Sequence, residues 1–221
     1  SNVDQILDLI ELIAKGVFEE APIEFGFRPS ALWDVEQTQL LAIMQETIKG
    51  LEECRGDWVP VAFEAKFGSD GQTLLSLDIG GESVVLHGYI DRVDKNSNGE
   101  IRVIDYKRSD SNLSKKDLIN GKRLQLPIYA LASQDALALG KVKEGFYWVI
   151  KDAKKSSLKF AEFDTKYVIE FSKSVEVLTN YLKSYLANIR EGFFHPEPPD
   201  DGCPDYCPAA QWCWRYQPRS F

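Results

Sequence analysis

Two aspartates and a lysine in the stretch 88–107 have the types and spacing to build a metal-assisted hydrolytic site. Residues 101–107 (Ile-Arg-Val-Ile-Asp-Tyr-Lys) form a β-branched run, in which successive side chains should alternate between faces. Asp105 and Lys107 are two apart, so they leave one face of the strand roughly 6–7 Å from each other. A second strand-like run, Val84–Asp91, precedes it, and Asn98-Gly99 lies between the two, a strong short-range hairpin signal. A hairpin closing there carries Asp91 to the partner strand, in a register that could bring it near Asp105. Two hard oxygen ligands suit Mg2+ or Mn2+, which accept few protein carboxylates and keep waters for a phosphate substrate. Lys107 is then placed to steady developing charge or to orient an attacking water.

The same residues admit two other readings. Asp94-x-Asn96-x-Asn98-Gly99-x-Ile101-x-x-x-Asp105 nearly fits a calcium-binding loop. That loop needs a helix on each side, whereas the flanks here are strand-like, and it ends on Glu rather than Asp. An exposed hairpin with solvated charges is the plainer alternative, since Asp-x-Lys alone is a weak motif.

Over a longer span, Glu64, Gly88, Asp91, Arg92, Asp94, Asp105, Tyr106, Lys107, Gln125 and Tyr129 occur in a recognisable order. Glu64 stands in Val61-Ala-Phe-Glu-Ala-Lys-Phe, followed by Gly88-Tyr-Ile-Asp91-Arg-Val-Asp, Ile104-Asp105-Tyr-Lys107 and Gln125-Leu-Pro-Ile-Tyr129, then by a carboxy-terminal cysteine cluster. The set resembles the PD-(D/E)XK nuclease superfamily, specifically the RecB-like branch that includes the nuclease domains of AddB-type helicase–nucleases. The resemblance implies a restriction-endonuclease-like core and metal-dependent hydrolysis of DNA phosphodiesters, as an exonuclease working with a helicase in repair or recombination. It implies Asp91 and Asp105 as metal ligands, with the backbone carbonyl of Tyr106 as a further candidate. Lys107 becomes the catalytic lysine and Glu64 the upstream acid. Gln125 and Tyr129 lie four apart and share a face if helical; in the family that face looks into the active site and helps hold the DNA strand or the lysine. Each has a plainer alternative. Tyr129 sits in a mostly apolar stretch that could be core, and Glu64 could be a surface residue on a strand whose other face carries Val61, Phe63, Ala65 and Phe67.

The family pattern also has a histidine ligand on an early helix, and this chain places Asp4 there. Either Asp4 ligates the metal instead, or the opening Ser1-Asn2 marks a trimmed beginning, the expectation favoured here. The two histidines, His87 on a strand and His195 in a loop entering prolines, are expected to be packed, solvated or structural. Cys203, Cys207 and Cys213 stand close together in a polar, proline-rich tail. In a chain without a secretory signal, such thiols are expected to bind metal rather than pair as disulfides. Zinc and iron–sulfur both accept thiolates. The resemblance implies a [4Fe–4S] cluster completed by one upstream cysteine; Cys54 is the only such residue here, and it follows the early helix rather than preceding it.

At 221 residues and 44% hydrophobic, the chain can bury a sizeable core. It has no long apolar run that could span a membrane, and the lack of a charged-then-apolar leader favours the cytoplasm. A net charge of −8 argues against a freestanding protein that holds DNA through many phosphate contacts, although Lys107-Arg108, Lys115-Lys116 and Lys122-Arg123 could contact phosphates locally. Trp212 and Trp214 are expected to pack the tail. Helical spacing predicts helices at 3–19, 30–53, 124–139 and 167–191, with strands near 58–67, 72–79, 83–94, 100–107, 145–151 and 158–163. That order suggests an α/β fold: a mixed central sheet flanked by helices, with helices at the start and an irregular tail. The whole chain is expected to be one nuclease domain of a larger protein, with a helical part (1–56), a catalytic core (57–165) and a helix-plus-cysteine tail (166–221). The rival expectation is a catalytically degenerate nuclease-like module that binds DNA or scaffolds a partner.

Overall fold

The computed structural model describes residues 3–68, 73–110, 113–198 and 202–218. Ser1-Asn2 and the first residue of the strand expected at 72–79 lie outside them. The chain divides into two compact units, Ser1–Asn180 and Tyr181–Phe221.

The first unit opens with α1 (Val3–Glu24) and α2 (Ala31–Glu53). Gly26, at φ 68°, turns the chain between them. Ser30 is the N-cap residue of α2, as its side-chain type suggests, although its hydroxyl makes no capping bond. Near its end α2 lies directly on the sheet at Gly50, where an added Cβ would come within 2.9 Å of the Ala153 carbonyl and 3.0 Å of the Trp148 ring. Leu51 and Cys54 follow, packing against the buried Ile104, Phe146 and Trp148.

Among the described residues, six strands form the main sheet in the order β1 (Val59–Phe67), β4 (Gly88–Lys95), β5 (Glu100–Lys107), β6 (Lys141–Val149), β7 (Lys154–Ala161), β8 (Val168–Glu170). Strands β5 and β6 run parallel, as do β7 and β8; the other neighbours are antiparallel. The sheet is therefore mixed and flanked by helices, as expected. The single strand expected over 83–94 is two. β2 (Leu75–Asp78) and β3 (Ser83–Leu86) make a separate hairpin, and β4 begins only after the exposed His87. The break falls where the end of β1 crosses the chain. Gly68, at φ 85°, leaves no room for a side chain, since a Cβ would sit 2.1 Å from the Leu86 carbonyl.

Asn98-Gly99 does close the β4–β5 hairpin. Gly99 takes φ 79°, its N–H donates to the Asn96 carbonyl, and the Asn96 side-chain oxygen accepts from the N–H groups of Asn98 and Glu100. The parallel step from β5 to β6 requires a crossover, supplied by α3 (Lys115–Ile119) and α4 (Gln125–Leu131). α3 is secured by a reciprocal capping box between Ser114 and Asp117. α4 widens directly into a π turn, Ala132–Ala136, where the Leu137 N–H reaches back five residues to the Ala132 carbonyl at 2.8 Å. The last helix, α5 (Phe171–Arg190), starts four residues later than expected, because Val168–Glu170 pairs with β7 instead.

The second unit holds the end of α5 and the irregular tail, whose β pairing among the described residues is an isolated bridge between Cys203 and Pro218. No helix among the described residues is long and apolar enough to cross a membrane.

Behind the hairpin, the buried Asp94 is gripped by two arginines. Arg92 donates to it from Nε at 2.6 Å and Nη2 at 3.1 Å, and Arg102, its cross-strand partner, from Nε at 2.8 Å. Arg102 Nη1 also donates to the Cys54 carbonyl at 3.0 Å, and its guanidinium lies 5.1 Å from the Trp58 ring, tying α2 to the sheet. Removing one member of such a cluster strands the other charges in the interior, which costs about 3–5 kcal/mol. Asp94→Ala is therefore expected to lower stability by about that amount, read from the urea midpoint by tryptophan fluorescence; a loss under about 1 kcal/mol would show that the arginines find other partners.

Candidate active site

Strands β4 and β5 stay paired from Lys95↔Ile101 to Arg92↔Ile104 and then part. Their outer partners continue: β1 holds β4 as far as Phe67↔Gly88, and β6 holds β5 as far as Lys107↔Val149. The result is a fork between two limbs. One more step of the register would set Asp91 opposite Asp105, and at this step the ladder stops. Like charges directly opposite each other destabilise a strand pair. The Asp91 carboxylate takes over the lost bonding, with Oδ2 accepting from the Tyr106 N–H at 2.8 Å. The sequence expectation that the hairpin brings Asp91 to Asp105 thus holds.

Asp105 is 0% exposed, yet neither of its oxygens has a hydrogen-bond partner of acceptable geometry among the described residues. Its Oδ2 lies 2.5 Å from Lys107 Nζ, a charge contact rather than a well-aligned bond. The lysine in turn donates to Gln125 Oε1 at 2.9 Å, and Gln125 Nε2 donates to the Tyr129 hydroxyl at 2.7 Å. Asp105, Lys107, Gln125 and Tyr129 therefore form one relay joining β5 to α4. Tyr129 is half-buried and its ring meets Phe67 edge-on at 6.2 Å, so it packs on the core while its hydroxyl joins the relay.

Glu64 sits on the opposite limb, in β1, and is exposed. It takes φ 46°, a left-handed conformation unusual for a residue with a side chain and frequent at functional sites. The expected alternation fails at this point. Val61 and Phe63 are exposed while Phe67 is fully buried, because β1 carries an irregularity between Pro60 and Ala62 and a reversed φ at Glu64.

Burial pushes the Asp105 carboxyl up to about 6; Lys107 pulls it down and Asp91 adds to the rise. The Tyr129 hydroxyl is raised by burial, against its Gln125 bond, with Asp105, Asp91 and Glu64 contributing to the rise. Tyr147, the β6 neighbour of Asp105, is also buried, and its hydroxyl has no aligned hydrogen-bond partner. Unsatisfied buried oxygens next to a second carboxylate are what a hard cation would satisfy. Asp91 and Asp105 are hard-oxygen donors of the kind a divalent cation takes. Among the described residues no three His, Cys, Asp or Glu side chains gather to hold a metal.

The remaining candidates are not brought into this arrangement. Asp4 is exposed in the first turn of α1. Cys54 caps α2 and packs on the sheet core. In the second unit Cys203 is buried, Cys207 and Cys213 are half-buried, and all three are free. Among the described residues these three thiols do not gather into a group that could hold a metal. Trp212 and Trp214 are largely exposed, at 77% and 71%, although Trp214 packs within the tail against His195 and the Arg215 guanidinium. His195 meets the Phe193 and Trp214 rings edge-on, a structural role. Of the basic clusters, Lys115 is committed to Asp164 at 2.5 Å, while Arg108, Lys116 and Lys122 are exposed. Arg123, expected as a phosphate contact, also lowers the pKa of the Asp105 carboxyl through its charge. Sequence reasoning missed Tyr147, which carries no spacing signal because it reaches Asp105 through the parallel register.

A family model described as PD-(D/E)XK nuclease superfamily matches residues 1–214. Several relatives are named as a subunit of an ATP-dependent helicase/deoxyribonuclease. That of Moorella thermoacetica is 37% identical over 114 residues, covering 48% of this chain and 10% of the relative. That of Caldanaerobacter subterraneus subsp. tengcongensis is 28% identical over 157 residues, covering 66% and 13%, and that of Clostridium tetani 41% over 80 residues, covering 34% and 7%. The chain therefore spans about a tenth of the length of these relatives.

The raised Asp105 carboxyl has a consequence for stability. Its folded value, about 6, lies above the ordinary 3.8, so ionised Asp105 opposes folding above about pH 6 and the penalty fades as pH falls toward 4. Asp105→Asn is expected to be more stable than the parent at pH 7.5 without metal, by about 1–3 kcal/mol, with the gain shrinking toward pH 4. Thermal unfolding across that range checks this; a gain independent of pH would mean that the buried charge is not its source.

Proposed function

The chain belongs to the PD-(D/E)XK nuclease superfamily, and on that footing we propose that it is a metal-dependent deoxyribonuclease acting at the β4–β5 fork. The observation that carries this is the buried, unsatisfied Asp105 carboxylate beside Asp91, with Lys107 held against it by Gln125 and Tyr129. A divalent cation held by Asp91, Asp105 and the Tyr106 carbonyl would supply Lewis acidity and a bound water of lowered pKa. The chain's own residues supply the rest. Lys107 presents an ammonium at the mouth of the fork, where it offsets charge developing on the phosphate. Gln125 fixes the direction of that ammonium, and Tyr129, kept neutral by burial, fixes Gln125. The buried walls keep bulk water from Asp105 and so strengthen each of these interactions.

The names of the relatives support a place beside a DNA-unwinding motor, and the net charge of −8 is in keeping with DNA delivered by a partner rather than captured from solution. In this reading the chain is the nuclease part of a larger helicase–nuclease that trims DNA ends. The absence of a third metal-ligating side chain among the described residues favours one rival, a nuclease-like module that binds DNA without cutting it.

Linear single- and double-stranded DNA incubated with the parent chain and Mg2+ or Mn2+ separates the two. Cleavage is expected, with Asp105→Ala and Lys107→Ala each slower by about a hundredfold or more. Binding without cleavage by the parent under either metal would leave only the scaffolding module.

A further inference from the structure

We propose that Tyr147 is a positioning residue for Lys107: its ring keeps the ammonium in the fork whether or not Asp105 holds it. This rests on the nuclease reading of the fork. On β6, Phe146 and Trp148 pack with Ile104 and with Leu51 and Cys54 at the end of α2. Side chains alternate along a strand, so Tyr147, between them, leaves by the opposite face. β5 repeats the pattern in register. Ile104 shares the α2 face, while Asp105, the direct neighbour of Tyr147, and Lys107 take the other, where Lys107 meets Gln125 of α4. The Lys107 Nζ lies 5.4 Å from the centroid of the Tyr147 ring, within reach of the attraction between a cation and an aromatic face.

The ring is fixed at both ends. Tyr147 is fully buried, and its hydroxyl end stands against the Leu126 backbone in the first turn of α4, so the ring spans from β6 to the helix. Lys107 is the opposite case: its side chain is 28% exposed and flexible along its whole stem, so contacts must restrain it. The ion pair with Asp105 at 2.5 Å is one of them, but it lapses whenever that carboxylate serves another cation. Gln125 engages the ammonium through a single oxygen. The pull of the ring does not depend on Asp105, and it strengthens where water is excluded. The neutral ring also leaves the charge of the ammonium unspent, whereas a second carboxylate in its place would neutralise the cation that a phosphate needs.

Reductive methylation with 13C-formaldehyde puts NMR-visible methyl groups on Lys107 Nζ, whose signal is the one lost in Lys107→Arg. In the metal-free parent that signal is expected upfield of the exposed lysines, through the ring current of Tyr147, and it stays upfield in Asp105→Asn. Tyr147→Leu is expected to return it to the ordinary lysine position. In unmethylated protein the same change lowers kcat for cleavage of linear single-stranded DNA in Mg2+ about tenfold, with KM changed by less than about twofold; Tyr147→Phe restores both the shift and the rate. A Lys107 signal at the ordinary position in the parent, or one that loses its shift in Asp105→Asn, overturns the proposal even where Tyr147→Leu fails to fold. So does a Tyr147→Phe chain that behaves like the leucine variant. A parent whose signal is shifted with and without the Asp105 charge, but which cuts nothing in Mg2+ or Mn2+, keeps the ring–lysine contact and removes the nuclease reading instead.

Discussion

Asp91 and Asp105 would face each other across β4 and β5 if the ladder ran one step further, and two carboxylates cannot share that position cheaply. Most of what surrounds the site answers this repulsion. The strands separate, Asp91 turns its oxygen to the Tyr106 N–H, and Lys107 moves onto Asp105. The outer strands β1 and β6 stay paired with each limb, so the separation remains local instead of unravelling the sheet.

The same two strands carry a contrasting arrangement a few residues away. Asp94 is as buried as Asp105, but two guanidiniums satisfy it, and α2 is anchored to the sheet through one of them. One acid is satisfied by aligned donors and ties α2 to the sheet; the other meets a lysine without an aligned hydrogen bond. Charge saturation, not depth, separates the two aspartates.

The fork was legible in the sequence to the extent that local rules governed it. Asn98-Gly99 set the hairpin, and with it the approach of Asp91 to Asp105; the four-residue spacing of Gln125 and Tyr129 set their common face. What escaped was decided at a distance. The side switch at Glu64 depends on a positive φ that no residue type announces, and the break at His87 on the passage of Gly68 against the chain. Tyr147 reached Asp105 through a parallel register, which follows a crossover instead of a turn. The apolar spacing of 167–191 could not reveal that its first residues would be claimed by the edge of β7. In the tail, the cysteine spacing spoke of a shared ligand, but the chain turns do not bring three thiols together among the described residues.

The π turn that follows α4 has a bearing on how this region tolerates change in length. Its loop closes over five residues, from Leu137 to Ala132, one more than an α-helix uses. The extra residue rephases the helix, so the segment bearing Gln125 and Tyr129 and the segment leading into β6 are oriented independently. Deleting one residue here would restore ordinary helical winding but swing everything beyond it by roughly 100°.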